Sequence, residues 1–465
     1  MSLRSSSKQV IGWPQLIQLG LICTAVILVT IFRVGLVIIY PLFVIVFCYI
    51  FNFRLSVGFT VLFFFSLVLL PLAFVFNEQP LMFNTVLSIY IIYPVLFLFL
   101  SRYSHARREI EEKSLHKRFI KYLTIIMTFN NLIGVVQFII LRYDDSFTGL
   151  YGTHGTGAHG LGIINGLLFI NYFIRFKHNP RWGLLFLMLF FLCSFVMSFF
   201  GLALVLLLAS FLLYYFFFQF SIGNTLKFGS LVFIILVVLF LTSSKTFTYN
   251  YNTLENTAIM VSDQDFSTET EMPRKLTLFY NYATVFASDA KLFLFGTGPG
   301  TFNSRTSFLL NGDYSNNLLV NIVGANEPEY AAEYAYSLWN SSILSIQFND
   351  GTRNQPFSSV LAFLAEYGFL FSLILLIISI RKFRHVLKGL HSAAEFSTNA
   401  VERRGFLVNR EFLIVAGLFV ILLLLTNNLI ENTEILVFII VMKLMEMTLP
   451  RQRELSNLAF TDKEQ

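Results

Sequence analysis

Runs of apolar residues long enough to cross the hydrocarbon layer of a membrane, roughly 20 residues as an α-helix, recur along most of this chain. They fall at 14–32, 34–52, 56–76, 81–100, 119–141, 159–175, 183–199, 201–219, 228–243, 358–380, 411–426 and 431–448. Backbone polar groups inside lipid must be satisfied within the protein, so such runs dictate helices and exclude open sheets. With 56% hydrophobic and only 13% charged residues, the chain could not offer water a wettable surface. The reading is an all-α polytopic membrane protein with about 12 transmembrane helices.

Positive charge sets the orientation. Residues 101–121 carry seven Lys or Arg and 381–410 carry another seven, so both segments are read as cytoplasmic. Twelve spans from a cytoplasmic N-terminus put both inside, together with Arg175, Lys177, Arg181, Lys227 and the tail with Arg451 and Arg453. Arg4 and Lys8 precede the first apolar run without a small-residue cleavage site, which reads as an uncleaved first helix. The formal charge of +6 is accounted for by these loops, so no nucleic-acid partner is expected. Cys23, Cys48 and Cys193 all lie in apolar runs, which leaves no disulfide framework and no zinc cluster.

The same topology sends 77–80, 142–160 and 244–357 to the outer face. The chain then divides into an N-terminal bundle, 1–243, of about nine spans; a large outer loop, 244–357; a C-terminal group, 358–448, of about three spans; and a cytoplasmic tail, 449–465. The large loop carries eleven Asp or Glu against six Lys or Arg. Apolar stretches at 276–286, 292–295 and 331–343 alternate with polar ones, the pattern of a partly helical, folded cap lying on the membrane surface. No internal repeat is present, which counts against an inverted-repeat transporter.

Several residues could carry chemistry. Arg274, Arg305 and Arg353 are the three arginines of the large loop, and a guanidinium fork is the natural partner of a diphosphate; each could equally be a solvated or interfacial residue. Gly296, Gly298 and Gly300, in LFGTGPGTF, allow backbone amides to approach an anion, or simply make a turn between amphipathic pieces. His154 and His159, in LYGTHGTGAHGLG, could move a proton or merely occupy an interfacial turn; with no further ligand nearby, a metal site is not expected. Glu366 lies about two turns inside a span and needs a partner or a wet cavity, whereas Asn130, Asn131, Gln137, Asn427 and Asn428 read as helix-to-helix hydrogen bonders. Tyr282 and Trp339 are candidates for stacking on a sugar, although interfacial aromatic belts have the same composition.

In their order these features resemble the O-antigen polymerase/ligase superfamily of membrane glycosyltransferases. Three stretches carry the resemblance: PRKLTLFYNYATVFASDAKLFLFGTGPGTF at 273–302, FSSVLAFLAEYGFLFSLILL at 357–376 with Glu366 and Gly368, and VMSFFGLALVLLL at 196–208. Two departures stand out. Phe199 follows Ser198 where relatives often have an arginine, and Phe357 and Ser358 stand where the ligase branch has His-Asn, which favours a polymerase over a ligase. The resemblance implies a GT-C-like fold in a bacterial inner membrane, with the active site on the periplasmic side. It implies an undecaprenyl-diphosphate-linked glycan as both donor and acceptor, surrounding membrane lipid, a chain-length regulator protein as a further partner, and no cofactor. Ligation by the same superfamily, or flipping of a lipid-linked oligosaccharide, are the alternatives.

Overall fold

A computed structural model describes residues 36–51, 53–76, 83–103, 115–141, 146–151, 156–198, 201–219, 229–230, 233, 274–308, 327–340 and 355–449. Apart from two two-residue strands, β1 (Phe53–Arg54) and β2 (Arg102–Tyr103), their regular structure is helical. The N-terminal helices are α1 (Leu36–Ile50), α2 (Val57–Phe76), α3 (Phe83–Leu100), α4 (Leu115–Leu141), α5 (Thr156–His178), α6 (Trp182–Met197) and α7 (Gly201–Phe218). Short helices α8 (Arg274–Asn281), α9 (Ala290–Phe295), α10 (Arg305–Phe308), α11 (Glu329–Tyr334) and α12 (Ser359–Ala362) precede α13 (Gly368–Phe396), α14 (Ala400–Thr426) and α15 (Glu434–Met447).

Six helical stretches among the described residues are long and apolar enough to span a membrane: Val57–Val75, Phe83–Leu100, Leu115–Leu141, Gly201–Phe218, Ser359–Phe396 and Ala400–Thr426. Each coincides with one of the apolar runs of the sequence. Pro41–Ile50 and Trp182–Met197 are apolar but shorter. The run at 14–32, and nearly all of that at 228–243, lie outside the described residues. Phe64, Ile140 and Phe217 turn outward at 62–70% exposure, a disposition that belongs in lipid rather than water. The chain is an all-α membrane protein.

Side-chain pairings define two ends of the bundle. β1 pairs antiparallel with β2, so α2 and α3 run out and back between them. At that end Lys382 of α13 and Lys443 of α15 both donate to the Ser101 carbonyl, at 2.8 and 2.6 Å, and both reach the Glu446 carboxylate. At the other end of the α2–α3 pair, Gly298 abuts the Phe74 ring and Asn84 donates to the Gly300 carbonyl. The glycine turn therefore sits at the end of the bundle opposite Lys443.

A cap covers this second end and has an apolar core of its own, separate from that of the bundle. Leu278, Phe286, Phe302, Phe308, Trp339 and Phe357 are among its members. Its helices are short because each is stopped locally. Asp289 caps α9 by accepting from the Lys291 amide at 2.7 Å, and Gly296, at φ +75°, ends the same helix within two turns.

Candidate active site at the capped end of the bundle

The site is built around a break in the helix that follows the large loop. Between α12 and α13 the chain makes a π-helical turn, Phe363–Tyr367, and Gly368 then takes φ +79°. Gly296 lies against this break so closely that a Cβ on it would stand 2.6 Å from both the Glu366 carbonyl oxygen and the Gly368 nitrogen. The Thr297 and Gly298 amides donate to the carbonyls of Ala365 and Glu366 at 2.8 and 2.9 Å.

The Glu366 side chain is wholly buried and turns into the same loop. Its Oε2 accepts from the Gly300 amide at 2.6 Å, and its Oε1 from the amides of Phe302 and Ser304 at 3.0 and 2.9 Å. Three alternate amides converging on one carboxylate make an anion-binding nest. The anion that these amides meet is the protein's own. Immediately downstream a second carboxylate takes over: Glu431, in the turn between α14 and α15, accepts from the Arg305 amide at 2.6 Å, the Thr306 hydroxyl at 2.8 Å and the Asn428 amide group. Glu431 lies within electrostatic reach of Glu366.

Two cations, Arg305 and Lys275, lie beside this pair. The Arg305 guanidinium lies over the Phe357 ring, 4.9 Å from its centroid. Lys275, only 8% exposed, donates to the Thr426 carbonyl at the end of α14. Burial, with the Arg305 charge in support, lowers its pKa to about 7. Arg274, at the start of α8, is half-buried, and desolvation lowers its pKa as well. Nε of Arg305 and Nη1 of Arg274 are buried and have no hydrogen-bond partner among the described residues. A buried cationic N–H without an acceptor costs on the order of 1–3 kcal/mol, so these donors are suited to an anionic ligand.

The remaining expected residues fall in different surroundings. The Tyr282 ring stacks on Phe286 at 5.6 Å, and its hydroxyl has no hydrogen-bond partner among the described residues. Trp339, 3% exposed, packs edge-on against Phe357 in the cap core, its indole N–H likewise unpartnered. His159 is half-buried near the start of α5, next to Gly160, which abuts Glu434. His154 and Arg353 lie outside the described residues. Of the intramembrane amides, Asn131 and Asn165 bond reciprocally across helices at 2.9 and 3.0 Å. Asn130 and Gln137 instead clasp the backbone of Gly149 and Leu150. No group of three or more His, Cys, Asp or Glu able to hold a metal ion occurs among the described residues.

Sequence reasoning passed over both Lys275 and Glu431 as site residues. The signal for Lys275 was its place beside Arg274 at the head of an amphipathic segment. For Glu431 it was the NNLIEN run, polar at both ends, between two apolar stretches. No family model, characterised protein or solved structure matches this chain.

Proposed function

We propose that this protein is a membrane glycosyltransferase that polymerises lipid-linked oligosaccharide repeat units into O-antigen or a related surface polysaccharide. In this reading it is a GT-C-like protein of the bacterial inner membrane, with cytoplasmic termini and a periplasmic site. The donor and acceptor are undecaprenyl-diphosphate-linked glycans, and a chain-length regulator is its partner. The observation that carries the reading is the Arg305 guanidinium, with a buried, unpartnered Nε, within electrostatic reach of Lys275 where the cap meets the end of α14; Arg274, next to Lys275 in the chain, has a buried, unpartnered N–H of its own.

Such a site meets lipid and water at once, as a polyprenyl diphosphate requires. In the transfer, an acceptor hydroxyl oxygen bonds to the donor's anomeric carbon while the bond from that carbon to the diphosphate oxygen breaks. The electron pair leaves with the diphosphate and the hydroxyl proton passes to a base. Charge builds on the departing diphosphate, and preorganised cations lower the barrier by meeting it. His154, His159 or a carboxylate of the large loop serves as the base.

Deleting the gene and restoring it with wild-type, R274A or R305A forms tests the reading by the ladder of surface-polysaccharide lengths on a gel. Loss of the ladder to single repeats, with weak restoration by the variants, is the expected outcome. A full ladder in the deletion strain excludes polymerisation, and polymer stranded on its carrier identifies a ligase instead.

A further inference from the structure

We infer that Glu366 and Glu431 are positioning residues that hold Arg305 for the donor diphosphate without touching it themselves, an inference that rests on the function proposed above. The two carboxylates come from separate elements, the π-turn ahead of α13 and the turn between α14 and α15, yet they grip one continuous stretch of chain. Glu366 takes the amides of residues 300, 302 and 304, and Glu431 takes the amide of 305 and the hydroxyl of 306. Arg305 stands where the two grips meet, so its backbone is held from both sides.

What the carboxylates leave alone is equally informative. Among the described residues, the Arg305 guanidinium makes no ion pair with either of them. It lies over the Phe357 ring, and its Nε remains without a partner. Negative charge close to an arginine would ordinarily be neutralised by the side chain itself. Here backbone and side-chain donors take up the carboxylate oxygens, the Arg305 charge acts on Glu431 only from beyond ion-pair distance, and Nε of the guanidinium is left for an incoming anion. All four carboxylate oxygens accept at least one hydrogen bond from the protein, so their lone pairs are directed at the loop and at Asn428 rather than toward a substrate hydroxyl.

The test uses the full chain in proteoliposomes with a lipid-diphosphate-linked repeat unit, comparing wild type with E366Q and E431Q. A positioning role predicts a kcat/KM for the donor lowered about tenfold or more, as for residues that orient another group. It also predicts an unshifted pH profile of kcat, because no proton-transfer group is lost. A glutamine at 366 turns an NH2 donor toward amides that are themselves donors, so E366Q should be the more severe. If E366Q does not accumulate in the membrane, E431Q, on a half-buried side chain, decides alone. A collapse of kcat with loss of one limb of its pH profile would overturn the inference in favour of a base, and unchanged constants would overturn it outright. Wild-type protein that elongates no lipid-linked glycan refutes the proposed function; active wild type with unaffected variants refutes only the positioning role.

Discussion

Oε2 of Glu366 accepts a 2.6 Å hydrogen bond from the amide of Gly300, a residue at φ +74° whose missing Cβ would stand 2.5 Å from the Asn84 carbonyl oxygen. The carboxylate of one span and the backbone at the head of another thus close on the same glycine. Replacing Gly300 by alanine should cost about 2–4 kcal/mol, from left-handed strain together with a backbone clash that cannot relax. G183A is the control: a Cβ there meets nothing within 4 Å, and Gly183 lies in α6. It is expected to be neutral or stabilising by up to about 1 kcal/mol. Thermal midpoints of the detergent-solubilised variants measure both.

Arg305 should resist conservative replacement. R305A removes charge-assisted hydrogen bonds worth about 1.5–3 kcal/mol, a fall of roughly 10- to 100-fold in kcat/KM for the donor. R305K keeps the charge but not the planar fork over Phe357, and so should recover only a minor part of the loss. Steady-state elongation rates over a donor titration distinguish the outcomes, and a fully active R305K would show that only point charge matters.

Lys275 makes cap stability depend on pH. Its pKa falls from the ordinary 10.5 to about 7 on folding because burial and the Arg305 charge penalise the ammonium. Between those values the unfolded chain binds more protons than the folded one, so this contribution to stability grows as pH rises from about 7 toward 10.5 and is lost as pH falls through 7. Unfolding of wild type and K275M across that window should differ in slope, with the methionine variant the flatter. An equal slope in both would show that Lys275 is not the titrating group.

The far end of the bundle should matter for stability and not for the site. Glu446 is the carboxylate that faces both Lys382 and Lys443, the latter wholly buried. E446Q strands two cations and is expected to cost about 3–5 kcal/mol. The donor KM should stay at its wild-type value, because this cluster and the glycine turn occupy opposite ends of α3. A changed KM would mean that the two ends are coupled.

Much of the architecture was legible before any folding was considered. Lipid imposes a length and a polarity on each span, so Val57–Val75, Phe83–Leu100, Leu115–Leu141, Gly201–Phe218, Ser359–Phe396 and Ala400–Thr426 could be found by counting apolar residues. The capping segment was legible as the one long polar block, and Arg274 and Arg305 as its cations, because charge in such a chain is scarce. Glu366 was legible as a residue in need of a partner.

Its partner was not, since amides at 300, 302 and 304 have no side-chain signature and lie more than sixty positions away. The glycines of the turn read as an open cradle for an anion, and only packing reveals that Glu366 fills it. Lys275 is buried because the end of α14 lies over it and accepts from its ammonium. Composition and hydropathy thus dictated a helical bundle in lipid with a polar cap, because the solvent acts on each segment locally. Which donors stay unpaired, and which carboxylate grips which backbone, was decided by the meeting of α3, α13, α14 and α15 at one end of the bundle, a property of distances that no single segment carries.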